Sequence, residues 1–385
     1  MRPTVRVLAP MVLATAFSIV ATPQAVANFV GGNGRIAYVD CCSGPGGIWA
    51  VWTMNPDGSD KQEFVFGAWG AGWSPDGKQL AYGLYAEGIG VIDADGTSDY
   101  LLTTIGRYPN WSPDGAEIAF DSNGEIYVTP SDGSGPIQRL TNDELWDENP
   151  SWSPDGRSIV IQTDAGIATI PAAGGPKTML TTGSLDRDPD WSPNGSKIVF
   201  SGYRSGRLDI YGMNSDGSDE VLLADTVGED VNPVWSPDGL QIAWVGTGGA
   251  TVWVMNADGS AQVQIAARTM SVDLSWQPTC TVLGTDGPDV LTGTDGADLI
   301  CGLRGDDVID GSGGNDAIFA GPGADLVRGG AGNDIIVGDA GSDQLSGGPG
   351  HDLINALDGT RDHVQGGDGN DLCSTDAIDK TAGCR

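Results

Sequence analysis

Histidine is nearly absent from this chain of 385 residues, which contains only His351 and His363. Both lie near the C-terminus, and we interpret both as solvated turn residues. The long N-terminal part therefore offers no histidine to act as a general base. No G-x-S-x-G sequence occurs either, which excludes the nucleophile elbow of an α/β-hydrolase. An enzyme built on this chain would have to work with carboxylates, and no single pair of them stands out.

Positive charge is scarce as well. The chain has 19 Lys and Arg against 52 Asp and Glu, which gives a formal net charge of −33. Such a surface repels phosphate backbones, so we expect no nucleic-acid partner. Residues 280–385 carry 5 basic and 19 acidic side chains and are rich in glycine. We expect this part to repel itself and to fold only when cations neutralise it.

Long hydrophobic runs are missing apart from one near the N-terminus, Val7 to Val20. This run is shorter than the ~20 residues that a membrane span needs. It follows Arg2 and Arg6 and precedes the small-residue cleavage pattern Ala25-Val26-Ala27. These features predict a secretory signal peptide over residues 1–27. We therefore expect a secreted protein, extracellular or associated with the cell envelope, with no membrane insertion.

Aspartates recur at a fixed interval near the C-terminus. Eight of them follow one another every nine residues, a ninth comes one residue late, and a tenth restores the interval: Asp289, Asp298, Asp307, Asp316, Asp325, Asp334, Asp343, Asp352, Asp362 and Asp371. A glycine stands two residues before most of them, and an apolar residue stands two residues after. The segments GGAGNDIIV (Gly329 to Val337) and GGPGHDLIN (Gly347 to Asn355) show the pattern best.

This spacing has a chemical reason. Nine residues make half a coil, with a six-residue turn and a short strand that ends on the apolar position, so aspartates eighteen apart stack on one edge. Ca²⁺ takes six to eight oxygen ligands, which paired carboxylates and turn carbonyls supply. Glycine permits the positive φ that turns carbonyls inward. Residues 284 to about 373 resemble the RTX (hemolysin-type) calcium-binding repeats. The resemblance implies a parallel β-roll in which the ten aspartates bind calcium.

A second, longer repeat occupies the preceding residues. Trp73-Ser-Pro-Asp-Gly77 recurs in related form at Trp111, Trp152, Trp191 and Trp235, and a worn copy lies at Trp276. The interval is near 40 residues, and apolar strands follow each copy, which predicts propeller blades. Six blades result if the strand around Trp276 completes the first blade, which begins at Gly34. The repeats resemble the PD40 repeats of TolB-like propellers over residues 34 to 278.

The fold prediction is therefore all-β. A six-bladed β-propeller over residues 28–279 precedes a parallel β-roll over residues 280–385. We expect the tryptophans to pack between blades. Acidic segments enter the innermost strands, and a propeller places such segments at one mouth of its channel. The acidic residues of these segments are Asp143, Glu144, Asp147, Glu148, Asp186, Asp188, Asp190, Glu229 and Asp230.

The six cysteines of an exported chain indicate disulfides. Cys280 and Cys301 bracket the first two half-coils and are candidates to staple the N-terminal edge of the roll. Cys373 and Cys384 are candidates to close its C-terminal cap. Cys41 and Cys42 remain, either as a vicinal bridge or paired elsewhere. No C-x-x-C spacing occurs, so a zinc site is not indicated.

We interpret the chain as a secreted, non-enzymatic calcium-binding protein. Its cofactor would be Ca²⁺, and its propeller would bind a protein, a peptide or a cell-envelope glycan at the channel. The alternative is an extracellular hydrolase or lyase that acts at the acidic mouth with carboxylates. A third possibility is an envelope-associated scaffold that uses the roll as a calcium-dependent attachment module.

Overall fold

The computed structural model describes residues 32–41, 49–84, 88–246, 251–267, 274–285 and 287–385. The predicted signal peptide and the side chains of Cys41 and Cys42 lie outside these residues. Within them every regular element is a β-strand. In this part of the chain, no helix is long and apolar enough to cross a membrane.

Twenty-four strands build the first body. They are β1 Gly32–Cys41, β2 Trp49–Met54, β3 Gln62–Phe66, β4 Ala68–Trp73, β5 Gln79–Leu84, β6 Ile89–Asp93, β7 Tyr100–Thr103, β8 Arg107–Trp111, β9 Glu117–Ser122, β10 Glu125–Pro130, β11 Gln138–Arg139, β12 Asp147–Trp152, β13 Ser158–Thr163, β14 Gly166–Pro171, β15 Thr178–Met179, β16 Arg187–Trp191, β17 Lys197–Tyr203, β18 Leu208–Asn214, β19 Val221–Ala224, β20 Asp230–Trp235, β21 Gln241–Gly246, β22 Thr251–Asn256, β23 Val263–Ala267 and β24 Leu274–Thr279.

These strands form six antiparallel four-stranded sheets, which are the blades of a propeller. Five blades use four consecutive strands each. The sixth has the order β24-β1-β2-β3, so the last strand of the propeller is the innermost strand of the first blade. Trp276 in β24 lies opposite Ile36 in β1. The predicted six blades and their ring closure are confirmed.

The tryptophans pack between blades, as predicted. Trp73 lies in one core cluster with Val39 and Val51 of the neighbouring blade, and Trp111 clusters with Ile89 and Val91 in the same way. Each inner strand therefore contributes one large ring to the interface with the preceding blade. The burial of these rings fixes the angle between successive sheets.

The turn that follows each tryptophan is locally determined. The Ser74 hydroxyl donates to Asp76 and accepts from the Gln79 amide, at 2.7 and 2.8 Å. Gly77 has φ +69°, and a Cβ on it would lie 2.0 Å from the Pro278 carbonyl oxygen. Only glycine combines this conformation with this close approach. The Ser-Pro-Asp-Gly sequence is thus explained by the turn alone.

Twelve short strands form the second body. They are β25 Val282–Leu283, β26 Val290–Thr292, β27 Leu299–Cys301, β28 Val308–Asp310, β29 Ala317–Phe319, β30 Leu326–Arg328, β31 Ile335–Val337, β32 Gln344–Gly350, β33 Leu353–Ala356, β34 His363–Gly369, β35 Leu372–Thr375 and β36 Lys380–Ala382. Alternate strands pair in parallel to give two six-stranded sheets. This is the predicted β-roll.

The apolar position of each repeat forms the thin core between the two sheets. Ile309, Ile318, Val327 and Ile336 are at most 1% exposed and belong to one cluster. The apolar residue is the second residue of its strand and is followed by at least one more, as Ile336 is in β31. The prediction that the strand ends on this residue was therefore wrong. The residue after it still pairs with the next coil, because the parallel ladder continues through all three positions.

Both predicted roll disulfides are present. Cys280 bonds to Cys301, and Cys373 bonds to Cys384. Cys373 occupies the apolar position of the last repeat, so its sulfur continues the core ladder. The roll lies against the Ser-Pro-Asp-Gly face of the propeller. There the Arg157 guanidinium donates to the Asn370 carbonyl oxygen, and Leu353 packs against Gly156.

Candidate metal sites

The repeat aspartates form a ladder along each edge of the roll. One carboxylate oxygen, Oδ1, accepts the backbone N–H of the aspartate one coil earlier, at 2.7 to 3.0 Å. The pairs, N–H residue first, are Asp289–Asp307, Asp298–Asp316, Asp307–Asp325, Asp316–Asp334, Asp325–Asp343, Asp334–Asp352, Asp343–Asp362 and Asp352–Asp371. The structure therefore brings all ten predicted residues together, five on each edge. Whether they bind metal stays a prediction.

The second carboxylate oxygen of most of these aspartates, Oδ2, is buried without a hydrogen bond. This holds for Asp307, Asp316, Asp325, Asp334, Asp343, Asp352, Asp362 and Asp371, whose Oδ2 atoms find no partner among the residues that the structure describes. These side chains are at most 2% exposed. A buried charged oxygen without a donor is costly, so each requires a cation or a proton.

The first two aspartates differ from the other eight. Thr285 donates its backbone N–H and its hydroxyl to Asp289 Oδ2, at 2.6 and 2.9 Å. Thr294 does the same for Asp298 Oδ2, at 2.6 and 2.8 Å. The Thr281 hydroxyl also donates to Asp298 Oδ1, at 3.0 Å. The Oδ2 atoms of both aspartates are therefore satisfied within the protein.

Glycine leaves the room beside the unsatisfied oxygens. A Cβ on Gly329, five residues before Asp334, would lie 2.3 Å from Asp334 Oδ2. A Cβ on Gly332 would lie 1.6 Å from the Gly314 carbonyl oxygen of the coil below, and Gly332 has φ +137°. Side chains at these positions would fill the space beside the carboxylate. The glycines of the repeat thus keep a cradle open around each oxygen.

Burial raises the pKa of the central carboxyls well above the ordinary value of 3.8. The pKa is about 8 for Asp316, about 7 for Asp343 and Asp352, and about 6 for Asp325 and Asp334. Loss of hydration is the main cause in every case. Neighbouring carboxylates add to it for all of them except Asp334. Without a cation, these groups hold protons at a pH where an ordinary aspartate is ionised.

The donor set fits calcium. Among the described residues, no three acidic, histidine or cysteine side chains come together as a site made only of side chains would require. A cation between two coils must therefore complete its shell with backbone carbonyls, which Ca²⁺ accepts readily. Orphaned carboxylate oxygens, a glycine cradle and exclusively oxygen donors all agree with a hard divalent cation.

Sequence reasoning missed several residues that continue the ladder. Asp379 Oδ1 accepts the Asp362 N–H at 3.0 Å, which adds a rung outside the nine-residue interval. Asp376 Oδ2 accepts two backbone N–H groups, from Asp358 and Gly359. The only available signal was the density of aspartates after residue 357, because their spacing does not match the repeat.

A second ladder runs along the residue before the aspartate. Asn315 Oδ1 accepts the Asn333 N–H, Asn333 Oδ1 accepts the His351 N–H, and His351 Nδ1 accepts the Asn370 N–H, at 2.8 to 2.9 Å. His351 is exposed, as predicted, but it also belongs to this ladder. His363 begins strand β34, so the interpretation of it as a turn residue was wrong.

Five of the nine predicted acidic side chains divide into two groups, contrary to the expectation of one acidic mouth, and Asp143 pairs with Lys177 at 2.9 Å. Asp147, Asp186 and Asp230 are at most 1% exposed and are bonded inside the blades. Lys177 pairs with Asp147 at 2.6 Å, Arg204 pairs with Asp186, and Thr226 and Trp244 donate to Asp230. These carboxylates hold the blade together and are unavailable to a ligand.

The second group faces the channel. Asp188 accepts from Asn149 Nδ2 at 2.8 Å, and Asp190 accepts from the Ser151 hydroxyl at 2.9 Å. Asn149 and Asp188 have φ of 49° and 53°, which turns them into the channel at a bulge of the inner strand. Burial raises the pKa of Asp190 to about 6. Amide and carboxyl side chains that bond to one another across neighbouring inner strands thus line the channel.

One buried carboxyl near the channel has an oxygen without a hydrogen bond, although the Asn149 backbone donates to the same carboxyl. Asp121 in β9 is 4% exposed, and its Oδ1 has no hydrogen-bond partner within the described part of the chain. Burial and the nearby Glu148 raise its pKa to about 8. Glu148 itself lies in a groove with Trp146, Leu185 and Tyr203. The groove lies at the end of the propeller opposite the Ser-Pro-Asp-Gly turns.

Fold and site together define a β-propeller joined to a β-roll of the calcium-binding type. The model of the TolB beta propeller domain family matches residues 12–217, which is more than half of the chain. The model of the RTX calcium-binding nonapeptide repeat matches four times, at residues 283–318, 300–327, 319–354 and 346–377. The chain belongs to the TolB beta propeller domain family, and it carries calcium-binding repeats after the propeller.

Curated relatives and solved structures agree with this assignment. The Tol-Pal system protein TolB of Anaeromyxobacter dehalogenans is 31% identical over 113 residues, which cover 26% of this chain and 26% of the relative. The chain thus spans about a quarter of the length of that relative. TolB from Acinetobacter baumannii superposes with a TM-score of 0.57 at 23% identity, over 64% of this chain and 67% of that chain. Putative TolB from Agrobacterium tumefaciens gives 0.50 at 21% identity, over 65% and 100%. These structures support the fold alone.

Proposed function

We propose that this chain is a secreted, non-enzymatic protein whose β-roll folds on binding calcium and whose propeller is a binding module. The observation that carries the proposal is the set of eight buried Oδ2 atoms without a hydrogen-bond partner among the described residues. An unsatisfied buried group costs about 1–3 kcal/mol. Eight of them would cost on the order of 8–24 kcal/mol, as much as the whole stability of a domain.

Bound calcium would remove this cost by offering a positive charge to each carboxylate. Asp307, Asp316, Asp325, Asp334, Asp343, Asp352, Asp362 and Asp371 are the residues that we expect to hold it. Asp289 and Asp298 were predicted from the same repeat, but threonines already donate to their Oδ2 atoms. The roll has two sheets of mostly three- or four-residue strands, with one thin cluster of apolar side chains between them. Such a core is too small to offset the carboxylates without cations.

The test is a titration of the whole chain with calcium, followed by far-ultraviolet circular dichroism. We expect a rise in β signal with Ca²⁺ and none with Mg²⁺, which demands a tighter octahedral shell. Native mass spectrometry on the same samples counts the ions. An unchanged spectrum with no bound calcium would refute the proposal.

For the propeller, we propose a basic peptide segment as the ligand. The groove at the end opposite the Ser-Pro-Asp-Gly turns combines exposed apolar surface with negative charge. Trp146 is 55% exposed and Leu185 is 54% exposed, while Glu148 and Glu229 line the same groove. Apolar anchors beside carboxylates are complementary to Lys or Arg side chains that are interspersed with apolar residues.

Isothermal titration calorimetry with a short Lys- and Leu-containing peptide tests this ligand. Trp146→Ala should weaken binding at least roughly tenfold, which corresponds to about 1.4 kcal/mol. Phe66→Ala is the matched control, because Phe66 is 52% exposed on the outer strand of a blade away from the groove. Binding of a neutral cell-wall glycan with no binding of the peptide would assign the groove to a glycan instead.

The alternative, an extracellular hydrolase or lyase, has one observation in its favour. Asp121 is a buried carboxyl with a pKa of about 8, and it lies near Glu148. A carboxylic acid that stays protonated at neutral pH beside a second carboxylate is an arrangement suited to general acid–base work. Turnover of a polysaccharide panel that is lost in Asp121→Asn would favour the enzyme, and absence of turnover would favour the binding module.

A further inference from the structure

The repeat aspartates are not equivalent, although the sequence places them in one series. Eight have a buried Oδ2 that lacks a donor, whereas Asp289 and Asp298 have this oxygen satisfied by threonine. Asp298 receives three hydrogen bonds in all from Thr281 and Thr294 to its two oxygens. A carboxylate with that many donors needs no cation to be stable in the protein interior.

The backbone of the first two turns differs in the same way. The residue four before each aspartate is left-handed in seven of the later turns, including three that are not glycine: Leu303 at φ 76°, Ser312 at φ 74° and Asp339 at φ 58°. Thr285 and Thr294 occupy this position in the first two turns and do not have positive φ. A β-branched residue strongly disfavours the left-handed region. Their N–H groups instead point at the carboxylate.

We propose that the calcium ladder begins at Asp307, and that the two half-coils before it form a calcium-independent cap that starts the fold of the roll. The inference rests on the proposed calcium-dependent folding of the remaining repeats. The Cys280–Cys301 disulfide encloses this cap and limits its unfolded states. Cys301 and Leu299 are fully buried against the strands of the next coil. A folded cap would therefore provide a formed strand on which the next coil can pair.

Two backbone N–H groups of the cap donate hydrogen bonds to the calcium ladder. The Asp298 N–H donates to Asp316 Oδ1 at 2.8 Å, and the Asp289 N–H donates to Asp307 Oδ1 at 2.8 Å. Each edge of the cap thus presents one donor to the first aspartate of the calcium-dependent part. Repeats couple mainly to their nearest neighbours, so folding would spread from the cap toward the C-terminus.

Asp298→Asn and Asp316→Asn are a matched pair on one edge of the roll. Asparagine removes the charge and keeps one oxygen, which can still accept the Asp298 N–H in Asp316→Asn and the Thr294 N–H in Asp298→Asn. Native mass spectrometry of the whole chain in saturating calcium should show at least one ion fewer for Asp316→Asn and no change for Asp298→Asn. Equal losses in the two variants would overturn the inference. A parent chain that binds no calcium would instead refute the proposed function.

Hydrogen exchange gives a second readout that does not depend on counting ions. In calcium-free buffer, the amides that bond within the cap should stay protected while those of residues 307–371 exchange freely; they are the amides of Thr281, Gly284, Thr285, Thr294 and Leu299. Thr285→Val together with Thr294→Val should abolish that protection without changing the number of ions bound at saturation. Exchange of these five cap amides as fast as that of the later repeats in the calcium-free parent would contradict the cap.

Discussion

Protons should partly replace calcium in the roll. Five central carboxyls have pKa values of about 6 to 8 in the folded chain, because they are buried without a cation. In the unfolded chain an aspartate has a pKa of about 3.9. Between these values the folded, calcium-free roll holds more protons than the unfolded chain. Its stability is therefore fully present below about pH 4 and is lost as the pH rises through about 6 to 8.

The size of the effect follows from the number of groups. Each contributes at most about 1.4 kcal/mol per pH unit, so five contribute at most about 7 kcal/mol per pH unit at the steepest point. This exceeds half of the stability of a typical domain. A change from about pH 5 to about pH 8 should therefore convert a partly ordered calcium-free roll into a disordered one.

Hydrogen exchange of the whole chain in calcium-free buffer across this range is the assay, because it reports residues 307–371 apart from the propeller. We expect protection of these amides at acidic pH and its loss near neutrality. The double variant Asp316→Asn and Asp352→Asn mimics two permanently protonated groups and should flatten the dependence. Greater order of the calcium-free roll at alkaline than at acidic pH would refute the reasoning.

Three further predictions concern the same two bodies. Asp325→Ala should raise the calcium midpoint of the circular dichroism titration roughly tenfold, about 1.4 kcal/mol, and more than Asp289→Ala, which removes a satisfied carboxylate; equal midpoints, both as in the parent, would mean that neither is a ligand. Gly332→Ala should destabilise the calcium-loaded roll by at least about 1–3 kcal/mol in chemical denaturation, through φ strain and the contact with the Gly314 carbonyl; a parental midpoint would argue against the close stacking of coils. Residues 28–279 alone should keep a cooperative thermal transition in chelator, and its disappearance would indicate a structural ion in the propeller.

The repeats made the architecture predictable from the sequence. A fixed interval of nine residues allows only a regular coil, and the interval near 40 residues with Trp73 and its copies gives blades of constant size. Ring closure followed from Trp276, because an unpaired inner strand needs a partner. These inferences depend on periodicity, which a sequence displays directly. The strand centred on Ile336 shows the limit, since periodicity does not fix where a strand ends.

Burial of charged residues was not predictable in the same way. Asp147 and Asp188 stand in equivalent acidic segments, yet Lys177 ties the first into a blade and the second faces the channel. The partner of Asp147 comes from 30 residues later in the chain, and a local pattern cannot reveal it. The calcium-independent cap could have been found from the sequence, because the β-branched Thr294 stands where later repeats adopt positive φ.

Hydrogen exchange of the whole chain at neutral pH, in millimolar calcium and again after its removal, tests the central claim most directly. We predict that amides of residues 307–371 are protected with calcium and exchange at the rate of an unfolded chain without it, and that magnesium does not restore them. Amides of the propeller should be equally protected in both conditions. Equal protection of residues 307–371 with and without calcium would contradict the account, because the buried carboxylates would then be stable without any cation.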